Sequence, residues 1–277
     1  MTLSIPTTHF ADGTPVPLIG LGTYKLQSNA GADAIAAALQ QGYSLIDTAA
    51  QYNNETAVGE GIRRSGVARE KVMVTTKVAG GSHGRAATRT GVDESRRRLG
   101  VEQLDIVLIH WPNPSRGLTL ETWETLIQLR EEGAIAHIGV SNFRPEQLTE
   151  LHDATGVWPA MNQIQLSAAL ARTESVQFHD EHGIVTEAWG PLGLREKLLD
   201  QIVLHKIAAK HEVSAHQVAL KWIVDQGIVV IPKSQNPERQ AANATLDFQL
   251  DDEDRALMAT LDLGEAHAWD SREHEEW

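Results

Sequence analysis

Residues 43–55 read YSLIDTAAQYNNE. The apolar run Tyr43 to Ile46 stops at Asp47 and gives way to a polar stretch that carries Tyr52 and Glu55. Apolar residues ending in polar turn formers have the pattern of a buried strand handing on to a loop. The same pattern recurs along the chain. Besides 44–48 (SLIDT), short β-type runs lie at 18–22 (LIGLG), 72–78 (VMVTTKV), 105–110 (DIVLIH) and 135–141 (IAHIGVS). Three more follow at 160–165 (AMNQIQ), 184–189 (IVTEAW) and 228–233 (IVVIPK), which makes eight. Helix-period segments alternate with them at 30–41, 55–65, 86–99, 119–132, 145–154, 174–182 and 214–226. The last has Ser214 as N-cap before its apolar stripe and Gly227 after it.

Eight apolar strands alternating with helices predict an α/β fold, a parallel sheet closed into a (β/α)8 TIM barrel. An open doubly wound sheet is the alternative. Ahead of the barrel, TTHFADGTPVPLIG with its Asp12-Gly13 turn predicts an N-terminal β-hairpin, and residues 250–277 predict a C-terminal helix and tail. A single barrel domain over residues 1–277 is expected.

Composition narrows the function classes. The chain is 42% hydrophobic and 22% charged, ordinary for a globular protein. A chain of 277 residues can bury roughly three quarters of its unfolded surface. No window approaches the run of about 18 apolar residues that a membrane span needs. The start MTLSIPTTHFADG lacks a basic segment, an apolar core and a cleavage pattern, so a cytoplasmic location is expected. The absence of cysteine excludes disulfides, thiol catalysis and zinc–thiolate sites. A net charge of −13 repels nucleic acid and anionic membranes, so an anionic ligand needs a local cluster of cations. A monomer acting on a small molecule is the expectation. No metal site is expected: His179 and His182 have helical spacing, which reads as a solvated helix end.

In a barrel the chemistry gathers where strands end, because the following loops converge on the axis. Those ends carry Asp47, Lys77, His110, Ser141, Asn142, Gln163, Trp189, Lys233 and Ser234. Over almost its whole length the chain resembles the aldo-keto reductase superfamily. The matching stretches are GLGTYKL (20–26), GYSLIDTAAQYNNETAVGEGI (42–62), TTKV (75–78), LDIVLIHWPNP (104–114) and IGVSNF (138–143). They continue with PAMNQIQ (159–165), EAWGPLG (187–193) and IPKSQNPERQAAN (231–243). HWPNPS, HGRA and FHDEHGI resemble a bacterial branch that reduces diketo sugar acids.

The resemblance implies a catalytic tetrad of Asp47, Tyr52, Lys77 and His110, and the chemistry of these groups is coherent. Hydride addition to a carbonyl creates an alkoxide that needs a proton. A phenol with a pKa near ~10 is a weak acid, and an adjacent ammonium is expected to lower that pKa. Lys77 would supply the charge, Asp47 would hold Lys77, and His110 would donate to the carbonyl oxygen. Tyr24 and Trp111 match aromatic positions of the family's substrate pocket.

The Rossmann fingerprint fails, since Gly20 and Gly22 are followed by Lys25 where a third glycine belongs. The resemblance therefore implies a nicotinamide cofactor bound at the barrel mouth. Ser141, Asn142 and Gln163 suit its carboxamide, and Trp189 offers a face for stacking. Gly22, Thr23, Gly190, Pro191 and Leu192 also match family cofactor positions. Lys233, Ser234 and Arg239 before a helix can clamp a phosphate, which favours NADPH, with NADH weaker. Asn243 matches an adenine contact, whereas Ala242 stands where the family usually has an acidic residue.

The loop VAGGSHGRAA (78–87) has Ala79 and two glycines in place of an aromatic, and is expected to be open and mobile, with His83 and Arg85 either meeting an anionic substrate or exposed to solvent. The connection 111–121 is short and is expected to provide little lid. NQIQLSAAL lacks the family's usual His-Pro after the sixth strand. The tail with Trp269 either closes over the substrate or frays. A small polar keto compound is expected, such as a diketo sugar acid, an α-keto compound or an aldehyde. The rivals are a Schiff-base lyase using Lys77 and a cofactor-binding accessory protein.

Overall fold

The computed structural model describes residues 3–194 and 197–276. It opens on a hairpin, β1 (Thr7–His9) and β2 (Pro15–Pro17), paired antiparallel with Thr8 opposite Val16. Asp12 Oδ1 accepts from the Thr14 amide at 2.9 Å, and Gly13 takes φ +87°, as the Asp-Gly turn requires. Phe10 stacks on His137 at 4.4 Å, near the start of a later strand. The hairpin thus packs at the end of the sheet where strands begin, opposite the end that carries the site.

Eight parallel strands follow: β3 (Leu21–Gly22), β4 (Leu45–Asp47), β5 (Met73–Val78), β6 (Leu104–Ile109), β7 (Ile135–Ser141), β8 (Met161–Gln165), β9 (Val185–Trp189) and β10 (Val229–Val230). They hydrogen-bond in sequence order, and parallel bridges Ile19–Val230 and Gly22–Lys233 join the first strand to the last. Gly20 donates to the Val230 carbonyl at 2.8 Å across that seam. Gly22 is required there, because a Cβ would lie 2.5 Å from the Ile231 carbonyl oxygen.

Strands covered on both faces need continuous apolar runs, and LDIVLI of β6 supplies one, with Leu104, Ile106, Val107, Leu108 and Ile109 all buried. Each buried Leu or Ile contributes about 1.5–3 kcal/mol relative to exposure. The interleaved helices are α1 (Ser28–Gln41), α2 (Glu55–Ser65), α3 (Arg85–Leu99), α4 (Thr119–Glu131), α5 (Pro145–Thr155), α6 (Thr173–Glu181), α7 (Ile202–His211), α8 (Ala215–Val224), α9 (Pro237–Ala244) and α10 (Asp252–Ala259). Their ends follow local chemistry: Ser214 forms a capping box with Gln217 at α8, and Asn236 Oδ1 accepts from the Arg239 amide at 2.9 Å at α9.

Three features depart from expectation. The outer runs 18–22 and 228–233 contain only two regular strand residues each, because their seam is held by isolated bridges and Pro232 has no N–H to donate. Helix α7 falls outside the periodic segments. It lacks a side-chain cap, and its buried face of Leu204, Ile207 and Ala208 joins a second apolar cluster with Val218, Ala219 and Met258. The loop 78–87 is tied down: Gly84 donates to Thr122 Oγ1 and Arg85 to Glu121 Oε1, both at 2.9 Å.

Candidate active site

Most side chains buried in the sheet are apolar, but Asp47, Lys77 and Glu187 are buried ionisable groups that meet there. Lys77 on β5 is 1% exposed, so its ammonium persists only with partners. It donates to Asp47 Oδ2 at 2.7 Å and to the Thr48 carbonyl at 2.9 Å. Burial works against that ammonium, but Asp47, Tyr52 and Glu187 outweigh it and hold its pKa above the ordinary value. Burial pushes the Asp47 carboxyl up against the opposing pull of Lys77. Removing one member of such a pair strands the other charge, at a cost of about 3–5 kcal/mol.

Tyr52 lies on a single 3-10 turn, Ala50–Tyr52, just after β4. Lys77 Nζ stands 5.2 Å from its ring centroid, and the rings of Tyr24 and His110 meet it edge-on at 5.1 and 5.7 Å. The phenol's pKa is raised. Burial costs the phenolate more than the Lys77 ammonium, shared with Asp47, returns. The expected net lowering is therefore not what the packing produces, although Lys77 acts in the expected sense. His110, one residue past β6, is pushed well below its ordinary pKa by burial and by Lys77, so it is a neutral imidazole.

Ser141 Oγ donates to the Gln163 carbonyl at 2.9 Å, and Asn142 Nδ2 donates to the His110 carbonyl at 3.0 Å. Asn142 takes φ +66°, which turns its side chain back across the strand ends. Its Oδ1 accepts from Trp189 Nε1 at 2.8 Å, which sets the plane of the indole. Gln163 Nε2 donates to both Asp47 Oδ2 at 2.8 Å and Glu187 Oε2 at 2.5 Å. Thr23 is turned inward, its Oγ1 donating to the Asp47 carbonyl at 2.8 Å.

Gly190 takes φ +65° after β9, Pro191 is buried, and Leu192 packs against both apolar clusters. On the far side of the mouth, Ser234 and Asn243 are buried while Lys233 and Arg239 are exposed, neither in an ion pair among the described residues. Ala242 is exposed on α9.

The side of the mouth next to His110 is lined by aromatics and by the tail. Trp111, buried beside His110, faces Trp269 at 6.2 Å and His274 at 4.4 Å, and Trp269 meets Trp189 at 5.7 Å. Asn113 holds the tail by two bonds of 2.9 Å, one to the Glu276 carbonyl and one from its amide. The connection after β6 thus carries a cover, supplied from the C-terminus. Tyr24 is 56% exposed at the rim.

His83 does not face a substrate: it is 2% exposed and neutral, burial and Arg116 pulling its pKa down to about 4. Arg85 lies on the surface beside Glu121 and Glu124. His179 is not a solvated helix end. It is buried, with Nδ1 2.8 Å from Thr186 Oγ1 and Nε2 2.9 Å from Asn162 Nδ2.

Two residues escaped sequence reasoning. Asn54 ties the loops after β3 and β4 together, donating to Thr23 O at 2.8 Å and Leu26 O at 3.0 Å and accepting from Thr48 Oγ1 at 2.7 Å. Glu187 lies in mid-strand, and a carboxylate inside the apolar run IVTEAW was the available signal.

An eight-stranded parallel sheet with a buried Asp-Lys pair, a tyrosine and a histidine at its strand ends has a counterpart among known proteins. The chain belongs to the aldo/keto reductase family, whose profile matches residues 18–262. It is 43% identical over 274 residues to 2,5-diketo-D-gluconic acid reductase B of Corynebacterium sp., covering 99% of each chain. An aldo/keto reductase from Brucella melitensis, solved by crystallography, superposes with a TM-score of 0.90 at 41% identity, over 94% of this chain and 100% of that one. A Gox0644 mutant crystallised in complex with NADPH superposes at 0.89 with 37% identity, over 94% of each chain.

Proposed function

We propose that this protein is an NADPH-dependent carbonyl reductase that converts a small aldehyde or ketone to an alcohol, with Tyr52 as the proton donor. The observation that carries the reading is the convergence of Tyr52, the Lys77–Asp47 pair and neutral His110 at one mouth. The bound cofactor supplies the hydride. His110, uncharged, donates one N–H to the substrate oxygen and orients the carbonyl. Tyr52 stays protonated through neutral pH and delivers its proton to that oxygen as negative charge develops there. Lys77 stabilises the phenolate left behind, and Asp47 keeps Lys77 in place.

Ser141, Asn142 and Gln163 would hold the nicotinamide carboxamide, and Trp189, fixed by Asn142, would stack on the ring. Gly22, Thr23 and Gly190 to Leu192 would flank the phosphates. Lys233, Ser234 and Arg239 would hold the adenosine 2′-phosphate, with Asn243 near adenine. Two exposed cations with no ion-pair partner among the described residues, in a chain of net charge −13, support that assignment, since most arginines here are paired within the protein. For the substrate, a diketo sugar acid is favoured by the similarity to a reductase named for one. A broader range of aldehydes and α-keto compounds is the second reading, supported by the aromatic lining of Trp111 and Trp269.

Tyr52→Phe tests the mechanism. Turnover of a ketone with NADPH should fall roughly 10²–10⁴-fold while the fold and NADPH binding persist. Unchanged turnover removes the assignment. A panel of keto acids, sugars and neutral aldehydes, each with NADPH and NADH, separates the substrate readings.

A further inference from the structure

One buried ionisable group has no part in the proposed reaction. Glu187 is fully buried on β9, in register with Gln163 of β8 and Val229 of β10. The charged groups that face it are Asp47 from β4 and Lys77 from β5; Val229 presents only carbon. Lys77 is already committed to Asp47 Oδ2 and the Thr48 carbonyl, so Glu187 is a second carboxyl beside a single ammonium. Its Oε2 lies 2.5 Å from Gln163 Nε2, and its Oε1 has no hydrogen-bond partner among the described residues.

An amide nitrogen carries two protons and the amide oxygen none. An ionised carboxylate only accepts, so Asp47 requires the nitrogen of Gln163 to face it, at 2.8 Å. Glu187 takes the second proton of the same nitrogen. Both donors of Gln163 are then consumed inside the barrel, and only its carbonyl oxygen remains free. We infer that Glu187 is a positioning residue, a neutral carboxylic acid that together with Asp47 locks the Gln163 amide so that its oxygen alone is offered to the NH2 of the nicotinamide carboxamide.

The inference rests on the proposed use of Gln163 for the cofactor. Burial first, and then repulsion from Asp47, push the Glu187 carboxyl up to about 8, so the neutral form prevails at neutral pH. The sign for stability follows. The folded chain holds this proton more tightly than the unfolded chain, whose glutamates titrate near 4.5. Glu187's contribution to stability is therefore complete below that value and is lost as pH rises to about 8.

Glu187→Gln keeps a neutral acceptor for Gln163 Nε2, and Glu187→Leu removes it. By tryptophan fluorescence of the apoenzyme, the Gln variant should bind NADPH like the wild type and the Leu variant about fivefold more weakly, with kcat changed less. Infrared spectra of wild type minus Glu187→Gln at pH 7 should show a protonated carboxyl stretch, and the Gln variant should lose the fall in stability towards pH 8. A carboxylate band alone at pH 7 overturns the inference, as does wild-type affinity in the Leu variant when Gln163→Ala binds poorly. Wild-type affinity in Gln163→Ala would overturn instead the cofactor role of Gln163. Should the Leu variant fail to fold, the infrared and stability measurements on the Gln variant still decide.

Discussion

Asp47, Lys77 and His110 each interrupt an apolar strand at its end, and a polar side chain in that place has to find a partner or a function. Singly each was as easily a cap or a buried-strand residue, and the resemblance to the reductase family joined them into one expected site. Tyr52 was readable because it follows Asp47 by one short turn, but its net acidity was not: the balance between burial and the Lys77 charge exists only once the surrounding side chains are packed. Glu187 stayed hidden for the same reason, since its proton and its orientation depend on Asp47 and Gln163, remote in the chain. At this scale Gly22 offers a clean prediction. Gly22→Ala places a methyl 2.5 Å from the Ile231 carbonyl and should destabilise the protein by about 1–3 kcal/mol in denaturant titration, opening the seam between first and last strands. Unaltered stability would mean the seam yields without cost.

Elements were readable to the extent that their own residues stabilise them. The long strands β5 and β6 and the capped helix α8 coincide with the periodic patterns, because burial and caps are written in contiguous residues. Helix α7 was not, since its only apolar face is completed by α8 and α10. Likewise His83 looked available in a glycine-rich loop, yet Thr122 and Glu121 of α4 hold that loop against the body of the protein. Helix α9 and the segment that leads into it carry the element-scale prediction. Replacing Lys233 and Arg239 with alanine should raise KM for NADPH by roughly 10-fold or more, since two charged contacts to phosphate are lost, and leave KM for NADH little changed. Equal effects on both cofactors would sink the 2′-phosphate assignment.

On the scale of the whole molecule, the mouth is completed by segments far apart in sequence. Residues 269–276 lie across Trp111 and Trp189, and Asn113 fastens them through paired bonds to Glu276. Asn113 has φ +44°, so Asn113→Gly keeps the backbone conformation while removing both bonds. Hydrogen exchange at the tail amides should accelerate by about 5-fold or more in that variant, and kcat/KM for small ketones should fall several-fold. Protection equal to the wild type would show that the remaining contacts, the aromatic ones together with Ser115 to Glu275 and Trp269 to Gln165, hold the tail without Asn113.

The order and polarity of the elements followed from the chain itself, because strands apolar on both faces, alternating with amphipathic helices, make a parallel sheet covered by helices. The resemblance to the family was equally local, carried by short runs read in place, and it was the resemblance that joined Asp47, Tyr52, Lys77 and His110 into one expected site. The way Asn113 fastens the tail over the mouth, the protonation of Glu187 and the elevated phenol of Tyr52 were decided only by tertiary structure. Each depends on desolvation and on distances between groups that chain order does not encode.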